Sequence, residues 1–472
     1  MFDHLQIDDR RERWLVGCAD LLLKPAGDIG GWRRAAAPTP PRRVLLFRLE
    51  RIGDLLMTLD ALGAVRRRLP DAEVRLVVGS WNAGLARLIA AVDHVETLDV
   101  PWLSRDTAPS TLGEVAARAA RWRRRGFDLA INFEPDIRSN LLAAASGAPR
   151  RVGYAAKGGG ALLTGALPYD PSVHVAANAL RLVDGALPPA DRRAGAAAGR
   201  PAIDAPLPDT AGPRGPATGP RLPAAAGAPA TDTQLPDTAG PQGPATGPRL
   251  PAVTGAVEPA SPAHRPPGAG APGALRVPGD ARARASRLLA AADGRGPLVG
   301  LNPGAGRTVK EWPPERFAAA AHRLSRGTRA TFVLLGAAAE RPQAEAVARA
   351  LPSGVRFVDL AGKAPLVDLA AILERLALLI VGDTGPAHLA AAVGTPVVAI
   401  FGPSDPRRYA PSGAPSAVVR ADLWCRPCNR MRRPPARCRG VTPDCLAGVS
   451  VDAVVAAARR LLAARDGAGN PR

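Results

Sequence analysis

The stretch LLIVGDTGPAHLAAAVGTPVVAIFGPSDPRR, from Leu378 to Arg408, holds two apolar runs separated by a segment rich in polar and special-backbone residues. The runs LLIVG and TPVVAIFG are typical of buried strands, and the residues between them are typical of a helix. In a parallel sheet, ligands bind at the carboxyl ends of the strands, which is where DTGPAH begins. The stretch therefore predicts a strand–helix–strand unit with a ligand site at the first turn.

The same alternation of strand and helix recurs through the chain. Apolar strand runs are separated by helical stretches of ordinary length, such as the one from about Leu55 to Leu69. The runs lie at Arg42 to Leu49, Glu73 to Gly79, Leu129 to Glu134, Pro297 to Gly304, Ala330 to Gly336, Leu376 to Gly382 and Thr395 to Gly402. Strands that alternate with helices indicate parallel sheets covered on both faces. The sequence predicts an α/β protein of two Rossmann-like domains facing a central cleft.

A segment rich in Pro, Ala, Gly and Thr separates the two sets of strands. Its repeat LPDTAGPRGPATGPRLPA occurs at Leu207 to Ala224 and again, with one change, at Leu235 to Ala252. Such a composition buries too little apolar surface to offset the entropy of ordering, so a long disordered linker is predicted. The expected organisation is an extension (1–40), a first domain (41–188), the linker (189–279), a second domain (280–466) and a tail (467–472).

The charge of the chain does not by itself name a partner. The formal net charge is +20, yet only four of the 62 basic residues are lysines, and aromatic residues make up 4% of the chain. Nucleic-acid binding is not expected, because aromatic residues do not alternate with arginines as in single-strand binders. A basic surface favours anionic substrates and acidic lipid head groups.

The predicted location is the cytoplasm, because no apolar run is long enough to span a bilayer and no signal peptide pattern is present. The short apolar segment Trp14 to Leu23 leaves two alternatives open. It either packs on the domain or lies on a membrane surface.

The segment DTGPAH has the residues of a helix start that faces a ligand. Gly385 permits an unusual turn, Pro386 suits the first helical position, and Asp383 or Thr384 can cap the helix. The exposed N–H groups of such a start suit a diphosphate, and His388 can donate to an anion. Asp383 would hold the loop or accept from a hydroxyl. The alternative is a well-capped turn with a surface histidine.

Two further loops of the second domain carry candidate binding residues. NPGAGRTVKEW, from Asn302 to Trp312, combines Gly304 and a second glycine two positions later with Lys310, a pattern that suits an oxyanion. Glu340 follows the next strand and could accept hydrogen bonds from ribose hydroxyls. A solvated lysine and an exposed glutamate at a helix start are the alternatives.

In the first domain, Gly53 and Asp54 follow the first strand. A carboxylate at this position can take a proton from an acceptor hydroxyl, or it can simply cap the helix.

These motifs occur together and in order over most of the chain, and the chain resembles glycosyltransferase family 9, which includes the ADP-heptose:lipopolysaccharide heptosyltransferases. The motifs are RIGDLLMT, RRVGYAAKGGGALLTGALPYDPSVHVAANALRLV from Arg150 to Val183, LNPGAGRTVKEWPPERF, VGDTGPAHLAAAVGTPVVAIFGPSDP and a C-terminal cysteine cluster. The resemblance implies a GT-B fold and inverting transfer of a heptose-like sugar from a nucleotide sugar, ADP-heptose-like, with no required cofactor or metal.

By motif position, the resemblance makes Asp54 the candidate general base. It implies donor contacts from Asn302, Gly304, Lys310, Glu340, Asp383, Thr384, Gly385 and His388. The expected acceptor is an anionic cell-envelope glycan or a glycolipid, with peripheral contact at the inner membrane face, and no acceptor-binding residue is assigned. The alternative is a non-catalytic, sugar-nucleotide-binding envelope-assembly protein. A dinucleotide-dependent oxidoreductase is not expected, because no G-x-G-x-x-G follows the first strand.

Four of the five cysteines lie close together near the C-terminus. Their spacing is C-x2-C-x9-C-x6-C. A structural zinc site, free thiols and a disulfide all remain open. The cysteines are Cys425, Cys428, Cys438 and Cys445.

Overall fold

The computed structural model describes residues 5–7, 9–29, 40–103, 108–187, 256–259, 274–292, 296–431 and 433–467. The central part of the predicted linker therefore lies outside the described residues. None of the described helices combines the length and the apolar character needed to cross a membrane.

In the N-terminal half, the described strands form a six-stranded parallel sheet with the order β3-β2-β1-β4-β5-β6. The strands are β1 (Arg43–Phe47), β2 (Glu73–Val78), β3 (His94–Thr97), β4 (Leu129–Asn132), β5 (Arg150–Tyr154) and β6 (Gly165–Leu167). The helices are α1 (Arg10–Ile29), α2 (Ile52–Leu56), α3 (Leu59–Arg68), α4 (Ala83–Ala86), α5 (Leu112–Arg125), α6 (Ile137–Ala145) and α7 (Val175–Ala186).

The described strands of the C-terminal half form a seven-stranded sheet with the order β10-β9-β8-β11-β12-β13-β7, in which the edge strand β7 is antiparallel. The strands are β7 (Ala256–Pro259), β8 (Leu298–Asn302), β9 (Thr331–Leu334), β10 (Phe357–Asp359), β11 (Leu378–Gly382), β12 (Val397–Phe401) and β13 (Ser416–Arg420). The helices are α8 (Gly279–Leu289), α9 (Pro314–Ser325), α10 (Arg341–Ala350), α11 (Leu366–Arg375), α12 (Gly385–Ala392), α13 (Pro406–Tyr409), α14 (Asp444–Ala447) and α15 (Val451–Gly467).

The predicted pair of Rossmann-like halves is confirmed. Strands β1, β8, β11 and β12 are buried almost throughout, because they are central strands covered by helices on both faces. The apolar runs that predicted them carry no alternation for the same reason.

The helix expected from about Leu55 to Leu69 is instead two helices, α2 and α3. The helix is interrupted near Thr58. The hydroxyl of this residue donates to the backbone oxygen of Asp54 at 2.8 Å. The Arg48 guanidinium donates to the same oxygen at 3.1 Å. Side-chain donors to a helical carbonyl compete with the backbone N–H groups for that oxygen. In this chain they occur where the helix is interrupted.

The last residues of the predicted linker pack against the N-terminal half. Leu275 forms an antiparallel bridge with Ile89, and the N–H of Ala90 donates to the oxygen of Ala274 at 3.0 Å. From there the chain enters α8, which packs on α11. The domain boundaries themselves remain a prediction.

One apolar cluster runs through both halves, from Val44 of β1 to Val418 of β13. Helices α4 and α11 meet in it, where a methyl group on Gly84 would lie 3.4 Å from Val367. The two halves belong to one compact unit.

Candidate active site

The candidate site lies where the carboxyl ends of the central strands of the two sheets approach each other. In parallel sheets the loops at these ends are the usual ligand positions. The contact is close: a methyl group on Gly53, in the first turn of α2, would lie 2.9 Å from Cδ2 of His388 in α12. One on Gly385 would lie 3.2 Å from Cβ of Ile52.

Asp54 lies in the first turn of α2 and its side chain is 20% exposed. One carboxylate oxygen accepts from the N–H of Arg51 at 3.3 Å, and the other lies 3.5 Å from Nη2 of Arg48. Asp54 therefore caps its helix while its carboxylate keeps access to solvent. Capping and proton transfer, the two roles left open by the sequence, are compatible in one residue.

Arg48 and Glu134 form a buried ion pair beneath Asp54. Their side chains are 4% and 2% exposed, and Nη1 lies 3.4 Å from the Glu134 carboxylate. Burial acts against the charge of Arg48, but Glu134 and Asp54 outweigh it and hold its pKa above the usual value. Burial raises the pKa of Glu134, although Arg48 opposes this.

Glu134 also shapes the loop after β1. Its second oxygen accepts from the N–H groups of Leu49 and Glu50, at 2.8 and 3.2 Å. Glu50 itself is half-buried, and burial, together with the charges of Glu134 and Asp54, raises its pKa to about 8. The negative charges of Glu134 and Asp54 thus disfavour a further negative charge on Glu50.

Sequence reasoning did not assign a role to Arg48, Glu50 or Glu134. Glu134 ends the predicted strand LAINFE. The rule that ligands bind at the carboxyl ends of parallel strands, which led to Asp54, therefore applies to Glu134 as well. No local signal pairs Arg48 with Glu134, because 86 positions separate them in the chain.

In the C-terminal half, on the other side of the contact between Gly53 and His388, Asp383 holds Lys310 in an ion pair. The Lys310 ammonium lies 2.7 Å from the Asp383 carboxylate, and the hydroxyl of Ser404 donates to the same oxygen. Asp383 is 7% exposed. It thus holds its loop, as expected, and it fixes the position of the lysine.

The loops that carry Lys310 and Asp383 lie side by side, because they follow the paired strands β8 and β11. Asn302 at the end of β8 is the register partner of Val381 in β11, directly before Gly382 and Asp383. Helix α12 begins at Gly385, with Thr384 as an extended N-cap whose side chain does not cap the helix. Thr384 Oγ1 is buried and has no hydrogen-bond partner among the described residues.

His388 is buried, with 6% of its surface exposed. Burial lowers its pKa to about 4, and the opposing charge of Asp383 does not compensate. The imidazole is therefore neutral at pH 7. It can donate through a ring N–H, but it does not bring a positive charge to an anion, and it is not a surface histidine.

Glu340 contacts the glycine-containing loop after β8. Its carboxylate accepts from the N–H of Gly306 at 3.2 Å and from the N–H of Ala337 at 3.0 Å. A methyl group on Gly304 would lie 2.5 Å from Cδ of Glu340, so this glycine makes the close approach possible. The Asn302 amide donates to the oxygen of Gly304 at 2.9 Å. The structure thus brings Asn302, Gly304 and Glu340 together.

The four C-terminal cysteines are free thiols, and burial raises the pKa of Cys445 to about 11. In the part of the chain that the structure describes, no three His, Cys, Asp or Glu side chains are arranged to hold a metal ion. Among the described residues these cysteines form no disulfide, and the zinc site stays a prediction.

The family model for glycosyltransferase family 9 (heptosyltransferase) matches residues 270–437. Residues 270–437 are thus similar to family 9 glycosyltransferases. The match includes all eight residues expected to contact the donor, while Asp54 lies outside it. The resemblance seen in the sequence motifs is confirmed.

Curated heptosyltransferases align with part of the chain. Lipooligosaccharide heptosyltransferase 2 of Haemophilus influenzae is 32% identical over 130 residues, which are 27% of this chain and 37% of that protein. Lipopolysaccharide heptosyltransferase 1 of Pseudomonas aeruginosa is 29% identical over 140 residues, 30% of this chain and 38% of that protein. The aligned part thus spans less than two fifths of either relative.

Solved structures of family 9 proteins share the fold. ADP-heptose lipopolysaccharide heptosyltransferase II of E. coli has a TM-score of 0.60 at 17% identity and covers 90% of this chain and 99% of that one. A family 9 glycosyltransferase from Veillonella parvula has a TM-score of 0.61 at 19% identity, with 90% and 97% covered. The predicted α/β GT-B fold is confirmed.

Proposed function

We propose that this protein is an inverting glycosyltransferase that moves a heptose-like sugar from a nucleotide sugar to a cell-envelope glycan or lipid-linked acceptor. The observation that carries the proposal is the contact between Gly53 and His388, which brings the helix of Asp54 against the start of α12. An acidic residue from one half thus lies near the helix start that we propose as the diphosphate site of the other half.

The donor diphosphate would bind at Lys310 and the start of α12. The first N–H groups of a helix have no partner within the helix and suit an anion, and Lys310 adds a positive charge held in place by Asp383. Thr384 Oγ1 and the buried oxygen of the Asn302 side chain are hydrogen-bonding positions that a bound donor can use. Glu340 would lie near the ribose.

ADP-heptose is the proposed donor. E. coli heptosyltransferase WaaC, which shares the fold at a TM-score of 0.52 and 18% identity, has been solved with ADP-2-deoxy-2-fluoro heptose. The curated relatives are named for heptosyl transfer to lipopolysaccharide or lipooligosaccharide. A lipid-linked anionic acceptor agrees with the basic charge of the chain. The proposed place of the reaction is the cytoplasm, at the inner membrane face.

In the proposed reaction, the Asp54 carboxylate accepts the proton of an acceptor hydroxyl. The oxygen attacks the anomeric carbon from the side opposite the diphosphate, the bond from that carbon to the diphosphate oxygen breaks, and the configuration inverts. Lys310 and the N–H groups of Thr384 and Gly385 stabilise the negative charge that develops on the departing nucleoside diphosphate. These groups supply positive charge and dipoles, so the proposal requires no metal.

The proposal is tested by Asp54→Asn, with ADP-heptose as donor and a lipopolysaccharide precursor as acceptor. Turnover is expected to fall by about 10²- to 10⁴-fold, while the rise in melting temperature caused by ADP is kept. Asp71→Asn, an exposed acid in the loop before β2, is the matched control and should retain turnover. Near-wild-type turnover of the Asp54 variant would contradict the assignment.

The donor site has its own test in Lys310→Ala, compared with Lys363→Ala in the same half. Lys363 is exposed and donates to the backbone oxygen of Asp359. Only the Lys310 variant should lose the stabilisation by ADP. ADP binding without transfer by the wild type would favour the non-catalytic alternative.

A further inference from the structure

Helix α1 packs on the N-terminal half through one side. The Asp20 carboxylate accepts from the N–H of Gly159 at 2.7 Å. Val16 lies against the neighbouring turn, where a methyl group on Gly158 would come within 2.5 Å of its Cγ1. The sequence left domain packing and membrane contact as alternatives for this segment, and the packing accounts for only one side of the helix.

The opposite side of α1 is apolar and exposed. Its large side chains are 47–76% exposed, and two exposed arginines precede them on the same side. At about 100° per residue, these positions share a stripe about 140° wide. We call this stripe the α1 face, and it consists of Arg10, Arg11, Trp14, Leu15, Leu21 and Leu22.

The charge of the α1 face is entirely positive. The described acidic residues of the helix point elsewhere, since Asp20 binds the Gly159 turn and Glu12 interacts with the charge of Arg138 in the domain. Four exposed large apolar side chains on one helix are costly in water and mark an interaction surface. Leucines with a tryptophan, bordered by arginines and free of acids, are the composition of a helix that lies in an anionic lipid interface.

We propose that the α1 face docks on an anionic phospholipid surface, with Trp14 and the leucines at the level of the head groups and acyl chains. The use of such docking rests on the proposed function. If the acceptor is lipid-linked, a protein bound to the membrane surface reaches it in the plane of the membrane. The physical basis of the docking, the exposed face itself, is independent of catalysis.

The test is co-sedimentation of the full chain with vesicles of phosphatidylglycerol and phosphatidylethanolamine, compared with vesicles of phosphatidylcholine alone. Binding to the anionic vesicles is expected, and Leu15→Glu/Leu22→Glu should weaken it by at least about 10-fold. Arg10→Gln/Arg11→Gln should weaken it by about fivefold per arginine and reduce its salt dependence. Leu112→Glu on α5, where the leucine is 88% exposed, is the matched control and should bind as the wild type does.

Equal binding by the Leu15→Glu/Leu22→Glu variant and the wild type would overturn the proposal. So would a wild-type dimer in gel filtration that this variant dissociates, since the face would then meet a second copy. The ADP-induced rise in melting temperature, measured on the same variants, keeps the two proposals apart. This rise should be unchanged in the α1 variants. Loss of vesicle binding with intact ADP binding would then show that the substitutions affect membrane docking and not the donor site.

Discussion

Asp54 is held by two neighbours with different effects. The N–H of Arg51 donates to one carboxylate oxygen of Asp54 and orients it within α2, and Arg48 places a positive charge 3.5 Å from the other oxygen. Arg48 is in turn held by Glu134, so the buried pair acts on Asp54 from below without contacting solvent.

Arg48→Met is expected to lower the free energy of unfolding by about 3–5 kcal/mol, because Glu134 would remain buried without its partner. The double variant Arg48→Met/Glu134→Gln should recover part of this loss. Urea unfolding of the wild type, the single variants and the double variant measures the coupling. Additive losses would show that the ion pair does not couple the two residues.

His388 predicts a stability change with pH. An unfolded histidine takes up a proton near pH 6.5, whereas the native residue does so near pH 4, so the unfolded state binds more protons between these values. Stability therefore falls as the pH drops through this window.

In His388→Gln this contribution disappears. We expect the wild type to lose about 2–3 kcal/mol more than the variant between pH 7 and pH 4.5. Urea unfolding at the two pH values provides the measurement. Parallel losses in the two proteins would mean that His388 is protonated equally in both states.

The two helix starts at the site, α2 and α12, meet through glycines. Gly53 and Gly385 both lie where an added methyl group would contact the opposite half. These glycines therefore set how closely the two elements approach, and with them the relation of Asp54 to the donor loop.

Gly53→Ala should destabilise the protein by about 1–3 kcal/mol, because the methyl group would lie 2.9 Å from the buried ring of His388. Gly113→Ala is the control, since its nearest neighbour would be 3.9 Å away at an exposed helical position. This control should be neutral or stabilising by about 0.5–1 kcal/mol. Thermal unfolding of both variants measures the difference, and similar stabilities would contradict the contact.

Polar contacts, besides apolar packing, join the two halves of the molecule. Nε2 of His174, at the start of α7, donates to the oxygen of Ala410 at 2.9 Å, and Nδ1 accepts from the N–H of Ala176 at 3.1 Å. The second bond leaves the ring proton on Nε2. One side chain thus caps a helix of one half and holds the other half.

His174→Asn is expected to keep the cap and lose the contact with Ala410. The free energy of unfolding should fall by about 0.5–1.5 kcal/mol, and His174→Ala should cost about 1 kcal/mol more because the cap is also lost. Chemical unfolding of the three proteins measures both steps. Equal stability of the Asn and Ala variants would show that the cap contributes nothing.

Much of the fold could be predicted because its signals are local. The buried strands β1, β8, β11 and β12 are continuous apolar runs, and the turns after them are marked by glycine and proline. The edge strands β3, β6 and β10 were not predicted, since they are three or four residues long and carry little pattern. The candidate positions Asp54, Lys310 and Asp383 followed from the rule that ligands bind after parallel strands.

The pairing and charge state of the site residues depend on contacts between distant parts of the chain. Arg48 meets Glu134, Lys310 meets Asp383, and the pKa of His388 is lowered because its ring is buried. The amino-acid order sets which residues can form strands, turns and caps, since those choices depend on a few neighbouring positions. Folding sets burial and distance, and these in turn govern pKa values, ion pairs and the exposed face of α1.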